Sequence, residues 1–186
     1  IQNILITDKA VYAYANSNAY TRGYIARYDK YLKTWSNWGG QDLYNTFLYG
    51  LNEFQGDIFV YTSNMVFVAS DGPDSKLSQS TEIINKFNNV TTSDNSYRYL
   101  GGYNEYSFIY KQKSIYRYNL KTKEIVKIAS NVDFGQNGPI VNKKIYTFPL
   151  DSNKSWLVEY DGMTGLEKKV SLNRPSGFLG VHGSIN

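Results

Sequence analysis

The sequence contains no cysteine and one histidine, His182. Without thiols there are no disulfides, no thiolate metal ligands and no thiol nucleophile. No apolar run approaches the roughly 18 residues that carry a helix across a bilayer, so no membrane insertion is expected. Only 19% of residues are charged, and the net charge of +4 is spread along the chain. Lysines gather no further than the doublets Lys143-Lys144 and Lys168-Lys169. A nucleic-acid footprint clusters its cations with aromatics in a recognisable module, so no nucleic-acid partner is expected. H-E-x-x-H, G-x-x-x-x-G-K-[ST] and G-x-S-x-G are all missing, which removes the zincin, P-loop and hydrolase-elbow chemistries. A lone histidine with no nucleophile and orienting acid singled out beside it makes no triad. No metal and no cofactor is expected.

What the chain does have is aromatic residues and a repeat. It carries 18 Tyr, 9 Phe and 3 Trp among 186 residues, with 41% hydrophobic residues, a composition suited to strands packed face to face. Four segments share a pattern: Ile25-Ala26-Arg27-Tyr28-Asp29, Phe67-Val68-Ala69-Ser70-Asp71, Ile115-Tyr116-Arg117-Tyr118-Asn119 and Leu157-Val158-Glu159-Tyr160-Asp161. Their Asp/Asn positions 29, 71, 119 and 161 are separated by 42, 48 and 42 residues. A period of about 40 to 50 residues carrying short strands is the mark of radial sheet repeats. The reading is an all-β fold, a β-propeller of about four-stranded blades.

The approximate repeats are 1–38, 39–86, 87–130 and 131–173, with a partial one at 174–186. The last segment, Phe178-Leu179-Gly180-Val181-His182-Gly183, is a near copy of Phe134-Gly135-Gln136-Asn137-Gly138. Four units and the start of a fifth favour a piece of a larger propeller over a ring closed by the terminal segment. The chain opens at Ile1 with no initiator Met, which also reads as a processed or excised piece. The remainder of a larger polypeptide is therefore one expected partner.

The turns have a physical logic. In Asn119-Leu120-Lys121-Thr122-Lys123 and Asp161-Gly162-Met163-Thr164-Gly165 the first side chain can accept from amides ahead of it, and Gly165 can take positive φ. These acids read as turn formers, not metal ligands. Glycines before the repeats, at Gly50, Gly101 and Gly102, suit innermost strands that crowd the axis.

The strand–Tyr–Asp/Asn–turn–strand pattern resembles the degenerate propeller repeats of kelch-like and related bacterial and phage proteins. Kelch's double glycine is echoed only by Gly101-Gly102, and the Trp-Asp pair of WD40 is absent. The resemblance implies an extracellular, cell-surface or virion-associated setting and a role in adhesion or phage receptor binding. The functional reading is a non-catalytic recognition module for a cell-surface glycan or a protein receptor. The alternatives are a propeller glycoside-processing enzyme and a structural or assembly scaffold. The loops joining one blade to the next emerge on one face, and candidates there are Trp38, Asp42, Tyr44, Asn95, Tyr97, Asn137 and His182. Trp38, Tyr44 or Tyr97 would stack on a sugar ring, and Asp42, Asn95 and Asn137 would bond its hydroxyls.

Overall fold

The computed structural model describes residues 3–17, 22–39, 43, 46–62, 65–81, 83, 85–86, 98–134, 136–148 and 156–171. Those residues form sixteen strands in four antiparallel sheets of four, arranged as a four-bladed β-propeller. Blade 1 holds β1 (Asn3–Ile6), β2 (Ala10–Ser17), β3 (Arg22–Asp29) and β4 (Thr34–Trp38). Blade 2 holds β5 (Leu48–Phe54), β6 (Asp57–Thr62), β7 (Val66–Ser70) and β8 (Ser78–Gln79). Blade 3 holds β9 (Arg98–Tyr103), β10 (Tyr106–Lys111), β11 (Ser114–Asn119) and β12 (Ile125–Ser130). Blade 4 holds β13 (Gln136–Val141), β14 (Lys144–Phe148), β15 (Trp156–Asp161) and β16 (Glu167–Ser171). In every blade the strands lie in chain order, and the first strands meet in succession: β1 with β5, β5 with β9, β9 with β13. The expected start of a fifth repeat, 174–186, lies outside the described residues.

The inner-strand glycines work as the sequence suggests. A Cβ on Gly50 would collide with the Tyr99 ring of the next blade, and one on Gly102 with the Asn52 side chain of the preceding one. Close approach of neighbouring inner strands therefore requires glycine at both places. Alternate strand residues then fill three apolar layers between blades. Tyr12, Ile25 and Trp38 meet Ile58, Val60 and Phe67 in the first; Phe59, Tyr61 and Val66 meet Tyr99, Ile109 and Tyr118 in the second. Phe108 and Ile115 meet Ile145, Val158 and Tyr160 in the third.

Register defines which residues are equivalent. Asp29 lies opposite Ala10, Asn119 opposite Tyr106 and Asp161 opposite Lys144, so each ends the third strand across from the first residue of the second. Tyr28, Tyr118 and Tyr160, one residue earlier, are equivalent as the repeat pattern requires. Blade 2 corrects that pattern: Ser70, not Asp71, lies opposite Asp57 at the strand end. The backbone agrees, because the residue after the third strand donates to the residue before the second in each blade. The bonds run from Lys30 to Lys9, Asp71 to Gly56, Leu120 to Glu105 and Gly162 to Lys143, at 2.7–3.0 Å. Asp71 is thus the counterpart of Lys30, Leu120 and Gly162.

The three true turn residues behave alike. Asp29 Oδ1 accepts from the Tyr31 and Leu32 amides, Asn119 Oδ1 from Lys121 and Thr122, and Asp161 Oδ1 from Met163 and Thr164, all at 2.8–3.0 Å. Each turn closes on a left-handed residue: Lys33 (φ 58°), Lys123 (φ 62°) and Gly165 (φ 75°). A short side chain accepting two amides is what makes Asp and Asn suitable here.

Candidate functional site

The antiparallel order puts the β1–β2 and β3–β4 turns at one end of blade 1 and the blade-to-blade connections at the other. At the first end, where blade 1 meets blade 2, lies a cleft of about 470 Å³. Its floor is Arg27, Asp29 and Asp71, and its rim is Asp8, Lys9, Lys30, Tyr31 and Pro73.

The floor is a buried polar network. Asp71 follows the third strand of blade 2, the place that reaches back to the preceding blade. Its Oδ2 accepts from Thr7 Oγ1 at 2.6 Å and its Oδ1 from the Tyr12 hydroxyl at 2.6 Å. Arg27 is 1% exposed. It donates through Nε to Tyr12 Oη at 3.1 Å, through Nη2 to Asp71 at 3.4 Å and through Nη1 to Asp29 at 2.8 Å. A guanidinium fork can serve all three at once, which an ammonium on a flexible stem does poorly.

The electrostatics follow from these bonds. Burial works against the Arg27 charge, but the bonds to Asp29 and Tyr12 outweigh it and raise the pKa further. Burial, reinforced by the bond to Asp71, lifts the Tyr12 hydroxyl far above its ordinary value, so it stays protonated. The Arg27 bond, followed by the Leu32 amide, holds the Asp29 carboxyl below its usual range. Asp29 is therefore an ionised acceptor, and a glycosidase acid needs the opposite shift.

The rim is wetter. Lys30 Nζ donates to the Thr7 carbonyl at 2.6 Å, fixing the two turns against each other. Asp8 and Lys9 are exposed, and Tyr31 projects with 91% of its surface open. The cleft combines carboxylate acceptors, cationic donors and one open aromatic face. Among the described residues no group of three or more His, Asp or Glu is placed to hold a metal.

The candidates predicted on the opposite face fare differently. Trp38 ends β4 and is a core residue at 1% exposure, not a loop aromatic. Its ring meets Tyr12 edge-on at 5.0 Å and its Nε1 donates to the Gly72 carbonyl at 3.0 Å. Stacking on a ligand would require it to leave that packing, which corrects its assignment to a loop. Asn137 is a β13 residue opposite Thr147, and its side chain lies outside what is described. Asp42, Tyr44, Asn95, Tyr97 and His182 also lie outside the described residues. Sequence reasoning passed over the cleft. One signal was available: Arg27 and Arg117 occupy the same repeat position in strands otherwise apolar or aromatic.

No family model matches the sequence, and no curated protein is similar to it. Among solved structures, Myxococcus xanthus glutaminyl cyclase is similar at 14% identity and a TM-score of 0.48, over 88% of this chain and 66% of the cyclase. A Cicer arietinum albumin described as showing hemagglutination is similar at 10% identity and 0.46, over 89% and 87% of the two chains. A hemopexin-fold protein, CP4 from cow pea, is similar at 11% identity and 0.46, over 89% and 88%. At such identities these likenesses assign no role to any residue.

Proposed function

We propose that this protein is a non-catalytic recognition module for a glycan on a cell surface, working in an extracellular or virion-associated setting. The observation that supports this is the cleft between blades 1 and 2, with Tyr31 standing free over it. Sugar hydroxyls both donate and accept, so a rim offering Asp8 beside Lys9 and Lys30 matches them without needing a net charge. Tyr31 supplies the flat apolar face for a pyranose ring. The floor is rigid because its polar atoms already satisfy one another, which lowers the ordering cost of binding. A protein receptor is the second reading, favoured by Leu32, exposed beside Tyr31.

The test is a labelled protein on a glycan array and on cells treated with periodate or with protease. Tyr31→Ala and Asp8→Asn should each weaken binding about tenfold, with unchanged melting temperature. Periodate should abolish cell binding, whereas loss on protease treatment alone selects the protein receptor. Binding that survives both cleft variants but falls in Tyr44→Ala and Tyr97→Ala moves the site to the inter-blade loops. No binding to any glycan or cell contradicts the proposal.

A further inference from the structure

The junction between blades 3 and 4 repeats the arginine of the first junction without its partners. Arg117 is the counterpart of Arg27, since Phe108 lies opposite it as Tyr12 lies opposite Arg27. At Arg27 the Nε–Nη2 edge is occupied by the Tyr12 hydroxyl and the Asp71 carboxylate, and Nη1 by Asp29 Oδ2. All of these acceptors are gone around Arg117. Phe108 has no hydroxyl, and Gly162, in the place of Asp71, has no side chain. Asn119 replaces Asp29, and its Oδ1 is engaged by the Lys121 and Thr122 amides. Its other end is an amide donor, which cannot accept from a guanidinium.

Arg117 finds new partners with one nitrogen only. Its Nη1 donates to the carbonyls of Gly162 at 3.5 Å and Met163 at 2.9 Å, and reaches Met163 Sδ at 3.6 Å. The guanidinium carbon lies 5.1 Å from the centre of the Tyr106 ring. These neutral groups orient the fork without neutralising it. Among the described residues Nε and Nη2 have no hydrogen-bond acceptor, and the guanidinium makes no ion pair, even with Glu105 or Glu124 of its own blade. Arg117 is half-buried, and neither nitrogen is among the buried polar atoms left without a partner, so this edge is open to solvent.

We infer that Arg117 anchors a second binding site, in which a ligand carboxylate docks on its Nε–Nη2 edge as the Asp71 carboxylate docks on Arg27. That edge presents two parallel N–H groups, which match the two oxygens of a carboxylate. The exposed Lys121, on the turn that follows Asn119, adds positive charge that draws an anion in. Resting on the glycan reading above, the carboxylate belongs to an acidic sugar, a uronic or sialic acid. The first cleft does not take that role, because Asp29 and Asp71 already satisfy its arginine. Both sites lie at the same turn end of their blades, so one acidic polysaccharide can engage the two together.

The test follows the Arg117 Nε–Hε resonance by NMR. It should shift saturably with sodium glucuronate or N-acetylneuraminate and stay in place with glucose. Asn119→Asp gives Arg117 the acid that Arg27 has in Asp29, and keeps the turn that Asp161 also makes. It should weaken glucuronate binding about tenfold, with unchanged melting temperature. Arg117→Lys keeps the charge but loses the fork, and should weaken binding as much. Tyr31→Ala, in the first cleft, should leave glucuronate binding unchanged. No shift with either acidic sugar, while neutral glycans still bind the first cleft, overturns this inference and leaves the glycan reading standing; loss of both overturns both. An equal shift with inorganic phosphate, or one that Asn119→Asp does not reduce, marks an unspecific cation and overturns the inference. Tighter binding of polyglutamate than of either sugar assigns the carboxylate to a protein and overturns the acidic-sugar source.

Discussion

At the place that follows the third strand, blades 1 and 2 meet through charge and blades 2 and 3 through apolar surface, although an apolar layer lies between both pairs. Asp71 and Leu120 both follow a third strand, and both turn back onto the preceding blade. Asp71 meets Arg27, Tyr12 and Thr7; Leu120 is buried in an apolar layer that Val68 also lines, where Tyr61 stacks on Tyr99 at 3.7 Å. The contrast separates two duties. An apolar junction packs closed and holds the sheets together. A polar junction fixes direction through hydrogen bonds, and here it floors a cleft with charged groups that an apolar junction would not supply. Buried ion pairs add little net stability compared with apolar residues of the same shape, but they are costly to break.

That difference sets the largest expected effect. Asp71→Ala leaves buried Arg27 short of one carboxylate and should cost about 3 kcal/mol, with Asp29 keeping it from being larger. Adding Arg27→Met to Asp71→Leu should recover most of the loss in urea unfolding, because the junction then resembles its apolar neighbour. Leu120→Ala should cost about 2–3 kcal/mol through a cavity, with no such rescue by a polar partner. Asn119→Ala removes two exposed turn bonds and should cost about 1 kcal/mol.

Acid should produce the smallest effect. The Thr164 amide, with Met163, lowers the Asp161 carboxyl, and Arg27 lowers that of Asp29. Groups with lowered folded values stabilise fully above their unfolded value, about pH 4, and lose that contribution as pH falls through the folded value. Blade 3 contains its own control, since Asn119 makes the same turn without titrating. Asp161→Asn should therefore keep the turn and flatten the fall in melting temperature below about pH 4.

Much of this was legible in the sequence. The period, the strand content and the inner-strand glycines led to the propeller, because each repeat is built from local turns and alternation. The Asx turns at Asp29, Asn119 and Asp161 were readable for the same reason. Blade 2 misled by one residue. Asp71 has the right chemistry for a turn, and only its register, with Ser70 opposite Asp57, shows that it belongs to the junction. The cleft was illegible because Arg27 and Asp71 are 44 residues apart and meet only when two blades stack. Trp38 was misplaced because burial at a strand end depends on Gly72 in the next blade.

The central claim is that the place after the third strand, and not its last residue, joins one blade to the next. A double-mutant cycle on Arg27→Met and Asp71→Ala, read by urea unfolding, measures it directly. The expected coupling is about 2 kcal/mol, with none between Arg27→Met and Ser70→Ala. A coupling between Arg27 and Asp71 within about 0.5 kcal/mol of zero would contradict it.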